Sequence, residues 1–181
     1  LLGGGGQPIE GYLAKPMGPG PYPGIIVIHE IFGLVEHIRE VTRKFAAAGY
    51  ISLAPDLYSR ENLLHDGIPD EAEMRAIRQI TGDLPDDRIV ADMEGAAEYI
   101  KTVSTWNGSL GCIGYCAGGR YALLFACNTQ SLDAAVDCYG GRVIPDALTE
   151  ARPNGVIDMI PTLSCPLLGL FGAADANPNQ D

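Results

Sequence analysis

An apolar run, Leu110 to Gly114, leads directly into Gly114-Tyr115-Cys116-Ala117-Gly118. The small-x-Cys-x-small pattern requires a sharp turn from a strand into a helix, with the central side chain strained and presented at the helix N-terminus. Glycine is needed two residues to either side because a larger side chain would clash across that turn. The same position is expected to favour thiolate, through the helix dipole and free backbone N–H groups. Cys116 is therefore the candidate nucleophile, and acyl transfer through a thioester is the reaction class it suggests. The residue after it, Ala117, is expected to supply one backbone N–H to an oxyanion.

The rest of the chain fits around that turn. Ile25-Ile26-Val27-Ile28 is a β-branched run of the kind buried on both faces of a parallel sheet. A helix is expected over 36–48, with Ile38, Val41, Phe45 and Ala48 on one face and Gly49 as its stop. Strands follow at 50–54, 110–114, 134–138 and 167–171, with helices over 70–80, 86–103 and 116–127 between them. The strands at 134–138 and 167–171 read as buried. Ile9 to Ala14 reads as a short edge strand, cut off by the Pro16 to Gly24 loop. Alternating strands and helices predict a three-layer α/β/α sandwich on a mainly parallel sheet. Residues 1–181 read as a single domain, with no repeat or linker.

Composition narrows the partners. The net charge is −11 with no Lys/Arg block, which argues against nucleic acid and anionic membranes. No apolar run approaches a membrane span, and no signal peptide is visible. The five cysteines, Cys112, Cys116, Cys127, Cys138 and Cys165, show no zinc-ligand spacing and read as reduced thiols in a cytoplasmic protein. All but Cys116 read as core thiols. No metal or organic cofactor is expected.

Several segments, in this order and spacing, together resemble one family. His29-Glu30-Ile31-Phe32-Gly33 follows the first buried strand, Ala54-Pro55-Asp56-Leu57-Tyr58 follows the next, and Gly114 to Gly119 forms the elbow. They resemble the dienelactone hydrolase (carboxymethylenebutenolidase) family of the α/β-hydrolases, from about Ile9 to Asp175. The resemblance implies hydrolysis of a small ester or lactone by a cysteine nucleophile. A dienelactone-like substrate would yield an unsaturated dicarboxylic acid in aromatic-compound degradation. It also implies that Glu30 contacts the nucleophilic thiol and helps control its proton. Taken alone, Glu30 reads equally as a surface carboxylate after a strand. By the same analogy the second oxyanion amide is that of Ile31.

Asp175, in Gly172-Ala173-Ala174-Asp175 after a late strand, matches the acidic triad position, its alternative being a plain turn residue. The triad order then requires a histidine downstream, whereas His29, His37 and His65 all precede Cys116. The favoured expectation is a chain lacking its C-terminal strand, His loop and last helix. The alternatives are a non-catalytic binding protein on the same fold and, more weakly, a thiol redox sensor. Arg60, Arg75 and Arg78 are candidates for binding a substrate carboxylate, with solvated helix arginines as the equal reading. Tyr139, just past the strand at 134–138, lines the pocket or packs at its rim.

Overall fold

The computed structural model describes residues 1–65 and 67–178. Six strands form one sheet: β1 (Gly11–Ala14), β2 (Tyr22–Ile28), β3 (Ile51–Pro55), β4 (Trp106–Tyr115), β5 (Ala134–Cys138) and β6 (Leu167–Leu170). Their order is β1-β3-β2-β4-β5-β6. Only β1 runs antiparallel, against β3; every other pairing is parallel. Four α-helices connect them: α1 (Glu36–Ala47), α2 (Glu71–Gly82), α3 (Asp86–Lys101) and α4 (Ala117–Asn128).

The central strand β2 shows why both faces need cover. Successive side chains alternate between faces. Ile26 and Ile28 join one buried cluster with Met93, Ile100 and Phe125 from α3 and α4. Val27 joins a second cluster with Ile38 of α1 and Ala54 of β3. Helices on opposite faces of a parallel sheet are the three-layer α/β/α sandwich that the sequence predicts. Among the described residues no helix is long and apolar enough to cross a membrane.

Three expectations are corrected. The loop expected over 16–24 ends earlier, because Tyr22 and Gly24 already pair as part of β2. The strand β4 begins at Trp106, four residues before Leu110, because Tyr22 of β2 pairs with Trp106 across a register shift. The last strand, β6, is not buried: Leu168 is 54% exposed and Leu170 48% exposed, because β6 is the outermost strand among the described residues. Sequence periodicity also gave no sign of the 3-10 turns at Ser59–Glu61 and Val156–Thr162.

Candidate active site

The turn between β4 and α4 has the geometry the motif requires. Cys116 has φ 54° and ψ −116°, outside the usual regions for a non-glycine residue. Its N–H donates to the Cys138 carbonyl at 3.0 Å, and its own carbonyl accepts from the Gly119 N–H at 3.0 Å. The flanking glycines leave room for this. A Cβ on Gly114 would overlap the Gly118 carbonyl, and one on Gly118 would overlap the Ile28 and His29 carbonyls. The elbow therefore lies directly on the end of β2. Of the five free cysteines, Cys116 is half-buried and the other four are buried.

A cleft of about 180 Å³ opens beside Cys116, with Ile31, Ala117, Arg78 and Tyr139 on its walls. Ala117 is the first residue of α4 and has no acceptor within the helix; its N–H points at the Cys116 sulfur. The Ile31 amide donates to no backbone carbonyl among the described residues. One backbone donor, that of Ala117, thus borders the thiol, and Ile31 lines the same cleft.

The electrostatics run against the expectation for an elbow cysteine. The Cys116 thiol is pushed above its ordinary pKa, chiefly by burial. The Ala117 N–H opposes that shift, while the negative charges of Glu30 and Asp175 add to it. Burial is the largest cause and the charges of Glu30 and Asp175 add to it, so the Ala117 N–H does not bring the thiol down to favour thiolate. Glu30 and Asp175, from the loops after β2 and β6, thus lie within electrostatic reach of the sulfur. Asp175 is exposed and accepts the Asn177 N–H at 3.1 Å. Tyr139 is raised to about 12, by burial first and then by the charge of Glu30.

The candidate arginines divide. Arg78 lines the cleft, is exposed, and makes no ion pair among the described residues. Arg60 instead clasps the buried Asp92 at 2.7 and 2.9 Å, so its guanidinium is committed to the fold. Arg75 lies 3.8 Å from Glu71 on the exposed face of α2, and is not part of the cleft wall. Three arginines that sequence reasoning missed, Arg120, Arg142 and Arg152, also line the cleft. A signal for Arg120 existed: it opens the otherwise apolar run Tyr121 to Cys127, and it is only 4% exposed.

No histidine meets Asp175 among the described residues. His29 is fully buried, accepts the Leu57 N–H at Nε2 (3.1 Å) and faces the Glu30 carbonyl through Nδ1 (2.7 Å). Burial lowers its pKa to about 4, so it is neutral and serves the fold. His37 is exposed on α1, and His65 stacks loosely on Phe32. A larger groove, of about 1160 Å³, is lined from α3, α4 and residues 149–154; Cys116, Glu30 and Asp175 are not among its lining residues. Among the described residues no cluster of His, Cys, Asp or Glu is arranged to hold a metal ion.

A mostly parallel sheet covered on both faces, with a strained residue between strand and helix and carboxylates from the loops after β2 and β6, defines an α/β-hydrolase. The chain belongs to the dienelactone hydrolase family, whose sequence profile matches residues 9–181. It is 36% identical over 172 residues to a protein of Methylorubrum extorquens named "Putative carboxymethylenebutenolidase", covering 92% of this chain and 56% of that one. An Escherichia coli K12 protein of the same name is 34% identical over 179 residues, covering 97% of this chain and 64% of that one. The chain thus spans somewhat under two thirds of the length of these curated relatives. A crystal structure titled as a "Putative Dienelactone Hydrolase" from Klebsiella pneumoniae superposes with a TM-score of 0.85 at 34% identity, covering 98% of this chain and 72% of that one.

Proposed function

We propose that the protein carrying this chain hydrolyses a small ester or lactone, using Cys116 as nucleophile. The observation that carries this reading is the strained, half-buried Cys116 beside a cleft lined by Ile31 and Ala117. Glu30 takes the thiol proton as the Cys116 sulfur bonds to the substrate carbonyl carbon. The Ala117 and Ile31 amides hold the oxyanion that forms; a lost donor in comparable sites costs about 3–4 kcal/mol. The C–O bond to the alcohol or enol then breaks, the leaving oxygen takes up a proton, and an acyl thioester remains on Cys116. Water attacks the thioester, releasing the acid and restoring the thiol.

The raised thiol pKa suits this sequence. The resting sulfur stays protonated and inert until substrate enters and alters the partnership with Glu30. In this reading Asp175 orients the histidine that activates the water. Among the described residues none of His29, His37 and His65 meets Asp175.

The names of the relatives support a carboxylate-bearing substrate such as a carboxymethylenebutenolide, whose hydrolysis gives an unsaturated dicarboxylate. Arg78, exposed in the cleft wall without an ion pair, is the residue assigned to its carboxylate. The test is turnover of a p-nitrophenyl ester by the intact protein and its Cys116→Ala variant. The expected result is loss of turnover in the variant; equal rates would remove Cys116 from the mechanism and favour a binding protein instead.

A further inference from the structure

The loop after β5 carries two non-glycine residues in the left-handed region: Tyr139 at φ 47° and Arg142 at φ 59°. Such conformations persist only where the surroundings over-determine them. Hydrogen bonds at Tyr139, Gly140 and Arg142 hold this part of the loop. The Tyr139 N–H donates to Leu170 O at 2.8 Å, and the Gly140 N–H donates to the buried Asp137 carboxylate at 2.8 Å. The Arg142 carbonyl accepts from Nε of Arg120 at 3.3 Å.

Arg120 lies one helical turn after Cys116, and its side chain is 5% exposed. Its remaining nitrogens both bind Asp86, at 2.7 and 2.8 Å. Asp86 is the first residue of α3, and Nε of Arg152 approaches the same carboxylate at 3.7 Å. Arg152 in turn donates to the Thr81 carbonyl, near the end of α2. One buried guanidinium therefore joins the elbow helix to the loop that carries Tyr139 and Arg142. Through Asp86 and Arg152 it also reaches the end of α2, where Arg78 stands. Both stretches contribute residues to the cleft wall, as its two banks.

We propose that Arg120 is a positioning residue that sets the two banks of the cleft against each other and so determines affinity for the substrate. It acts through the Arg142 carbonyl and through Asp86, to which its three nitrogens are committed. The kinetic part rests on the proposed hydrolase reading. The latch itself does not.

The test compares Arg120→Lys, Arg120→Met and the double variant Arg120→Met with Asp86→Leu in the intact protein. Each is assayed for Tm, for kcat and KM on a carboxylate-bearing aryl ester, and for hydrogen exchange at the Gly140 amide. Single removal of Arg120 strips the buried Asp86 of both hydrogen-bonded nitrogens and leaves it only Arg152 at 3.7 Å, whereas the apolar double variant removes that buried charge. We expect the double variant to regain most of the wild-type Tm while KM stays at least tenfold raised, kcat changes less than threefold, and Gly140 exchanges faster. Arg120→Lys keeps a charge for Asp86 but lacks the planar fork that also meets the Arg142 carbonyl, and should show the same KM defect. Recovery of KM together with Tm would reduce Arg120 to a structural role and overturn the proposal, as would unchanged Gly140 exchange. A wild-type protein that hydrolyses no ester would defeat the hydrolase reading, while the exchange measurement still decides the latch.

Discussion

The amide of Cys116 donates to the carbonyl of Cys138 at 3.0 Å, so the elbow is the last rung of the β4–β5 ladder. The strained backbone of Cys116 is thereby braced by the neighbouring strand.

Burial and two nearby carboxylates keep the Cys116 thiol protonated near neutrality. Its alkylation by iodoacetamide should therefore accelerate as pH rises above neutrality, because only the thiolate reacts. Glu30→Gln removes one of the opposing charges, which lowers the thiol pKa and moves the rise to lower pH. Peptide mapping by mass spectrometry should find Cys116 modified ahead of the four buried cysteines. A first modification at Cys127 or Cys165 would contradict the assignment.

His29 supplies a pH dependence of stability. Its pKa falls from the ordinary 6.5 to about 4 on folding, because burial disfavours the imidazolium. The unfolded chain therefore binds a proton first as pH falls. The stability that His29 contributes is present above about pH 6.5 and is lost as pH drops toward 4. Between pH 7.5 and 5 the loss should be about 2 kcal/mol, visible as a falling urea midpoint. His29→Asn should flatten that part of the profile.

Gly118→Ala should destabilise the protein by about 3 kcal/mol, since the new Cβ would meet backbone carbonyls of Ile28 and His29 that cannot turn aside. Urea denaturation of the variant checks this. A midpoint equal to wild type would mean that the elbow does not sit on β2 as described.

Arg60→Ala and Arg78→Ala should separate folding from binding. Removing Arg60 strips the fully buried Asp92 of its bidentate partner and should cost about 3 kcal/mol. Removing the exposed Arg78 should leave the denaturation midpoint within about 0.5 kcal/mol of wild type while raising KM for a carboxylate-bearing ester. Reversed outcomes would exchange the roles of the two arginines.

Local chemistry was legible in the sequence, and long-range pairing was not. Gly114, Cys116 and Gly118 declare the elbow because the steric demand lies within five residues. The Ile25–Ile28 run declares a buried strand for the same reason. Arg60 misled because it follows Asp56-Leu57-Tyr58 closely in sequence, whereas its partner Asp92 is 32 residues away. Arg120 and Asp86 are 34 residues apart, and nothing local couples them. The sign of the Cys116 pKa shift was also out of reach. It depends on how deeply the sulfur is desolvated and on charges brought in by the loops carrying Glu30 and Asp175.

The contact of Gly118 with the tip of β2 has a wider implication. The Cys116 elbow and the end of β2 form one close-packed block at the centre of the sheet, with little tolerance for change. The arginine-bearing rim belongs to a separate loop and a separate helix end. Selectivity can therefore drift among related chains, by exchanging rim residues, while the bond-making apparatus stays as it is.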